Sequence, residues 1–185
     1  AAETCGWFQS CPEDLGLSAR AKKISDGWLF SLNLVGSPTE GAAKFDELIR
    51  QFIESGPNEF SRRHADWWKN YWTGVPQVSI PDEFFQKFYA YAQYKFAAAT
   101  NPQARRPAPL QGPWVEEYQL PPWGGNYTLN VNIQQIYTLG FTSGNLNHLL
   151  PLFDMLETPE CQAVMRQNAA RLIQVDDGLL ITHSV

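Results

Sequence analysis

Residues 108–137 read APLQGPWVEEYQLPPWGGNYTLNVNIQQIY. The stretch is rich in Trp, Tyr, Pro, Gly, Asn and Gln and poor in aliphatic residues. Leu110-Gln111-Gly112-Pro113-Trp114 opens it and Pro121-Pro122-Trp123-Gly124-Gly125 bends it. Tyr127-Thr128-Leu129-Asn130-Val131-Asn132 closes it before a more apolar run. Long irregular segments are uncommon in compact domains and carry function or are disordered. Aromatic residues are what disordered segments lack. Trp and Tyr faces stack on the C–H face of a pyranose, while its hydroxyls need amides and carboxylates as partners. Gln111, Glu116, Glu117, Asn126, Asn130 and Asn132 supply such groups. The competing reading is a structural loop whose aromatics plug the core and whose Asn residues make turns. Composition alone does not separate the two.

Working outward, the flanks read as helices. Upstream, Pro81-Asp82-Glu83 opens a helix with acids in its first turn, where the macrodipole favours them. Its Phe84, Phe85, Phe88, Tyr89, Tyr91, Phe96 and Ala97 wrap widely enough to predict burial on most sides. Before it, Thr39 is read as the N-cap of a helix that Gly56-Pro57 ends, and a second helix starts near Glu59. His64, Trp68 and Trp72 share a face of that second helix. Core packing is the preferred reading for the Trp residues, whereas His64 fits either a packed core histidine or a ligand contact. Trp28–Val35 alternates and reads as a strand that needs a local sheet or preceding residues to complete it. Downstream, 133–141 and 146–156 read as helices, with Pro151 marking a kink or a start near residue 150. Thr158-Pro159-Glu160 caps a further helix whose face is Cys161, Val164, Met165, Ala169, Leu172 and Ile173. Leu179–Thr182 reads as the beginning of another element.

The 185 residues, 44% hydrophobic and 18% charged, describe a soluble globular chain able to bury a sizeable core. A formal net charge of −5 argues against a nucleic-acid partner, and no apolar run is long enough to span a membrane. With three scattered His and no CxxC or HExxH motif, no catalytic metal or cofactor is expected. Cys5 and Cys11 either close a small loop, leaving Cys161 over, or all three are free. The expected location is secreted or periplasmic. Ala1–Cys5 lacks the charged and apolar regions of a signal peptide, so such a segment would be removed or lie upstream.

The ordered set LQGPW, PPWGGNYTLNVN and NLNHLLPLFDML, over roughly residues 108–155, resembles the catalytic domain of glycoside hydrolase family 95, the inverting α-L-fucosidases and their relatives. Weaker similarity reaches back to about His64. The resemblance implies a mainly α fold, the first part of an (α/α)6 toroid over residues 38–185, with residues 1–37 a short β-containing segment or the end of a β-sandwich. It also implies that two Asn amides position the attacking water, and they fall on Asn130 and Asn132. In an extended segment, residues i and i+2 point the same way, so both amides would converge on one water. An amide is too weak a base alone, and the family's Glu acid and assisting Asp are expected beyond Val185. A dozen helices, about the number such a toroid needs, would exceed this chain at ordinary helix lengths.

The expected substrate is an oligosaccharide or glycan bearing a terminal α-L-fucosyl or related sugar. His64, Gln111, Trp114, Glu117, Trp123 and Tyr127 are the candidate substrate contacts. The sequence departs from the family pattern at Gln134, Ile136 and Thr138, where an acid, a third Asn and a Trp are common, so a related sugar such as α-L-galactose also fits. The rival functions are a non-catalytic sugar-binding protein on a degenerate barrel and a phosphorylase on a similar toroid.

Overall fold

In the first thirty-five residues, alternating side chains build one small sheet. The computed structural model describes residues 4–12, 14–113 and 119–184. Strands β1 (Thr4–Cys11), β2 (Asp14–Ile24) and β3 (Gly27–Val35) pair antiparallel in sequence order. Ser25 and Asp26 turn β2 into β3, with Ile24 opposite Gly27. The register sets Leu17, Ala19 and Ala21 opposite Leu34, Leu32 and Phe30. β3 was legible from its alternation, and the local sheet completes it. β1 and β2 were not read, because β2 alternates with small residues such as Ala19 and Ala21 that carry little signal.

Cys5 and Cys11 both lie on β1. Six residue steps along the strand separate them by about 20 Å, far beyond the Cα spacing a disulfide spans. The small Cys5–Cys11 loop is therefore excluded.

Five α-helices follow among the described residues, and with 54% of the chain helical the protein is mainly α. Helix α1 (Pro38–Gly74) is broken at Gly56, whose φ of 76° and ψ of 166° interrupt it just before Pro57. Its N-cap is Ser37 rather than Thr39. The Ser37 hydroxyl accepts from Glu40 N at 3.1 Å, and the Glu40 carboxylate accepts from Gly36 N at 2.7 Å, a variant of the capping box in which the carboxylate reaches one residue further back. The first turns of α1 lie on the sheet at Ser18 and Val35. A Cβ added to Gly41 would meet Ser18 Oγ at 2.3 Å, so only glycine fits there.

The chain divides into two compact units, 1–69 and 70–185. In the second, α2 (Glu83–Ala99) is capped by Asp82, whose Oδ1 accepts from Phe85 N at 3.1 Å. Next come α3 (Asn132–Thr142), a single 3-10 turn at Leu146–Leu149, α4 (Leu150–Leu156) and α5 (Pro159–Ile173). Thr158 caps α5 through Cys161 N at 3.3 Å, with Pro159 in its first turn as expected. Pro151 marks the change from 3-10 to α-helix, not a kink in one long helix.

The core joins Phe96 of α2, Ala108, Ile133 and Tyr137 of α3, Leu149, and Leu152 of α4. Burial of α2 on most sides does not hold. Phe84, Phe85, Phe88 and Tyr91 are exposed, and only Gln93, Phe96 and Ala97 are buried. The physical reason is that the buried residues fall in the C-terminal half, the part that packs into the core. On α5 the predicted face is likewise narrower: Met165 and Ala169 are buried, while Val164, Leu172 and Ile173 are exposed. No helix among the described residues is long and apolar enough to cross a membrane.

A polar seam runs beside this core. The Tyr71 hydroxyl donates towards Gln93 O and Gln93 Oε1, each at 3.0 Å, and burial with the nearby Tyr89 pushes its pKa up to about 12. His148 is buried, stacked on Phe96 at 5.2 Å, with Nδ1 3.0 Å from Thr100 Oγ1. The Thr100 hydroxyl proton goes to Phe96 O at 2.6 Å, so the imidazole proton sits on Nδ1.

Burial lowers the His148 pKa, against the raising effect of its bond to the Thr100 backbone. The unfolded chain therefore takes up the proton first. Stability is complete above about pH 6.5, falls as pH drops below that value, and levels off once pH is under the folded-state pKa. We expect the urea midpoint of the wild type to fall more steeply between pH 8 and 5 than that of His148→Gln, whereas parallel slopes would contradict this linkage.

Candidate active-site loop

Proline and glycine give residues 107–132 their shape, and backbone bonds hold it. Tyr137 of α3 anchors the first leg: its hydroxyl oxygen accepts from Ala108 N at 2.9 Å, and burial outweighs that bond to push its pKa up to about 12. Gly112 N closes a tight turn onto Pro109 O at 2.8 Å. The second leg is stitched to the first. Leu110 N donates to Asn126 O at 3.0 Å, Gln111 Nε2 to Pro122 O at 3.0 Å, and the Tyr127 hydroxyl to Pro107 O at 3.2 Å. With its amide nitrogen fixed on Pro122, Gln111 turns Oε1 the other way, buried and without a hydrogen-bond partner among the described residues.

The bend at Pro121–Gly125 is left-handed. Trp123, Gly124 and Gly125 have φ of 54°, 66° and 68°. Two glycines adopt this at little cost, but a Trp there is strained by about 1–2 kcal/mol. That Trp is also 79% exposed, so its ring contributes little to the core. An exposed indole of this kind offers a face on which an apolar C–H surface can stack.

The Asn pair does not lie in an extended segment. Residues 129–131 form a turn, and Asn132 is the first residue of α3. Ile133 N donates to Thr128 O at 3.1 Å and Gln135 N to Val131 O at 2.9 Å, while Gln134 Nε2 closes the turn onto Leu129 O at 2.7 Å. Strand alternation therefore cannot aim the two amides. Asn130 is exposed and Asn132 half-buried, and both stand at the N-terminal end of α3, whose partial positive charge favours an electron-rich ligand atom.

The structure thus gathers Gln111, Trp123, Tyr127, Asn130 and Asn132 in one stitched loop. Trp114 and Glu117 lie outside the described residues. His64 belongs to the other unit, exposed, its ring 6.5 Å from that of Trp68.

A cleft of about 300 Å³ opens where α2 and α3 meet the first leg, lined by Lys95, Phe96, Gln111, Gly112, Gln135 and Leu139 among others. Ala92, Ala99 and Ala108 leave this space because their side chains are small. Among the described residues no group of three His, Cys, Asp or Glu is placed to hold a metal.

One neighbour was invisible in the sequence. Leu129 N donates to His183 O at 2.8 Å, and Thr128 forms an antiparallel bridge with Ser184. Leu179–Thr182, read as the beginning of another element, forms neither helix nor strand; the residues after it run back to the Asn turn instead.

Comparison with known proteins rests on one match. The family model described as glycosyl hydrolase family 95 catalytic domain matches residues 58–185, more than half of the chain. The chain belongs to glycosyl hydrolase family 95. No curated protein and no solved structure gives a significant match. Membership of family 95 supports glycoside hydrolase activity and a carbohydrate substrate. The family 95 match also takes in the aromatic loop, the Asn turn and the returning segment.

Proposed function

We propose that the chain forms part of the catalytic domain of an inverting, exo-acting glycoside hydrolase that releases a terminal α-L-fucosyl or related sugar from oligosaccharides or glycans. The observation that carries this reading is the turn-to-helix junction at residues 129–132. It sets Asn130 and Asn132 at the start of α3, in the same loop as the strained, exposed Trp123. Inversion needs an acid on the leaving oxygen and an activated water on the opposite face of the sugar. The amide oxygens of Asn130 and Asn132 accept hydrogen bonds from that water. Neither is basic enough to take its proton, so a carboxylate must polarise the pair.

Glu116 and Glu117 belong to this loop but lie outside the described residues, and the family resemblance gives neither a role in proton transfer. We assign the general acid and the assisting carboxylate to sequence following Val185. Gln111, Trp123 and Tyr127 shape the sugar subsite in this reading, with Trp114 and Glu117 as further contacts. Helices α1–α5 are read as the first part of an (α/α)6 toroid, and the exposed Phe84, Phe88 and Tyr91 face of α2 supports that, since such a face suits a neighbouring helix. The apolar sheet face, with Phe30 and Leu32 exposed, fits the end of a β-sandwich. A secreted or periplasmic setting suits this activity, and no cofactor is needed for it.

One alternative is a binding protein without turnover, which the exposed indole of Trp123 would serve equally well. Release of free sugar from a terminal α-L-fucoside by the intact protein separates the two. Trp123→Gly bears on both. It relieves the left-handed strain and so leaves thermal stability equal or higher, by up to about 1 kcal/mol. The same change removes the indole platform and weakens L-fucose binding about tenfold. A variant that binds as the wild type does would remove Trp123 from the subsite.

A further inference from the structure

We propose that His183 is a sugar-contact residue of the site formed by the Asn turn, an inference that rests on the reading of Asn130 and Asn132 given above. After α5 the chain is fastened twice. Leu180 N donates to Met165 O at 3.0 Å, and His183 O then accepts from Leu129 N at 2.8 Å, beside the Thr128–Ser184 bridge. In antiparallel pairing the Cα atoms of such opposed residues are about 5 Å apart, so His183 is held across from the residue that precedes Asn130.

The His183 carbonyl carries the pairing, and its side chain is exposed. The neighbouring turn already uses Gln134 to close itself on Leu129 O and Asn126 to accept from Thr128 Oγ1 at 2.8 Å. Those amides are committed to structure, whereas His183, exposed and fastened to the turn through its carbonyl, brings a further donor and acceptor to this part of the surface. A neutral imidazole presents one N–H and one lone pair on opposite sides of a rigid ring. That pattern suits two hydroxyls of a pyranose, or a hydroxyl and a bridging water. His148, buried in the core, does not compete for this role.

The ligand class is a neutral monosaccharide with adjacent hydroxyls at the end of a glycan. The test uses the intact protein labelled at histidine ring carbons, titrated with L-fucose and with L-galactose and followed by NMR. His183→Gln assigns the resonance. The His183 signal should move with either sugar while the buried His148 signal stays. His183→Ala should weaken binding about tenfold, the value of one hydrogen bond, and His183→Gln, which keeps a donor and an acceptor, should lose less than half of that factor. Should His183→Ala fail to fold, the wild-type titration still decides.

A stationary His183 signal, with binding intact in His183→Ala but lost in Asn130→Ala, overturns the contact and leaves the Asn turn standing. No binding of either sugar by the wild type overturns both.

Discussion

Replacing Asn130 or Asn132 by Ala lowers kcat of the intact enzyme by about 10²- to 10⁴-fold and changes KM by no more than a few-fold. The magnitude is that of losing a group that positions or deprotonates the nucleophile. The split follows from where the amides act. In this account they hold a water that attacks the anomeric carbon, and that water is bonded tightly only as it loses its proton. An interaction made mainly in the transition state appears in kcat, whereas uniform sugar binding appears in KM. The double variant should be scarcely worse than either single one, because both amides serve one water. Steady-state kinetics on a terminal α-L-fucoside checks this; near wild-type turnover in both single variants would remove the pair from catalysis.

Tyr137→Ala destabilises the protein by about 4–8 kcal/mol. Its ring is 2% exposed and joins Phe96, Ile133, Leu149 and Leu152 in the core. Deleting a buried aromatic ring costs about 3–5 kcal/mol, and leaving Ala108 N–H buried without its acceptor adds about 1–3 kcal/mol. Tyr137→Phe isolates the second part and should cost about 1–3 kcal/mol. Because Ala108 begins the aromatic loop, Tyr137→Phe should also loosen that leg and raise amide exchange at Ala108 and Leu110. Thermal unfolding of both variants, with exchange on the milder one, measures the two contributions separately. Equal stabilities for Phe and Ala at this position would contradict the packing account.

How much of this was legible depended on the range of the physics involved. The Gly56-Pro57 break, the Thr158-Pro159 start and the opening of α2 at Pro81-Asp82-Glu83 are local, and the sequence carried each correctly. β3 was legible because its large residues alternate, whereas β2 hid behind Ala19 and Ala21. The α2 aromatics misled because periodicity reports an apolar surface and cannot say whether a neighbour covers it. The N-x-N spacing suggested a strand, yet Gln134 and Ile133 bond back to Leu129 and Thr128 and make a turn that leads into a helix. The aromatic loop itself was legible as an unusual composition, but the left-handed Trp123 was not, since only the glycines beside it announced such a bend. His183 could not have been found at all, because nothing in its own neighbourhood records the pairing with Leu129.

The most direct test is the anomeric configuration of the first product. The intact protein is incubated with a terminal α-L-fucoside and followed by proton NMR before mutarotation sets in. A single displacement by water held at Asn130 and Asn132 predicts that β-L-fucose appears first and that added phosphate changes nothing. α-L-fucose appearing first would mean retention through a covalent intermediate, a sugar phosphate would mean phosphorolysis, and binding without any release would mean a sugar receptor. Each of these three results would contradict the account.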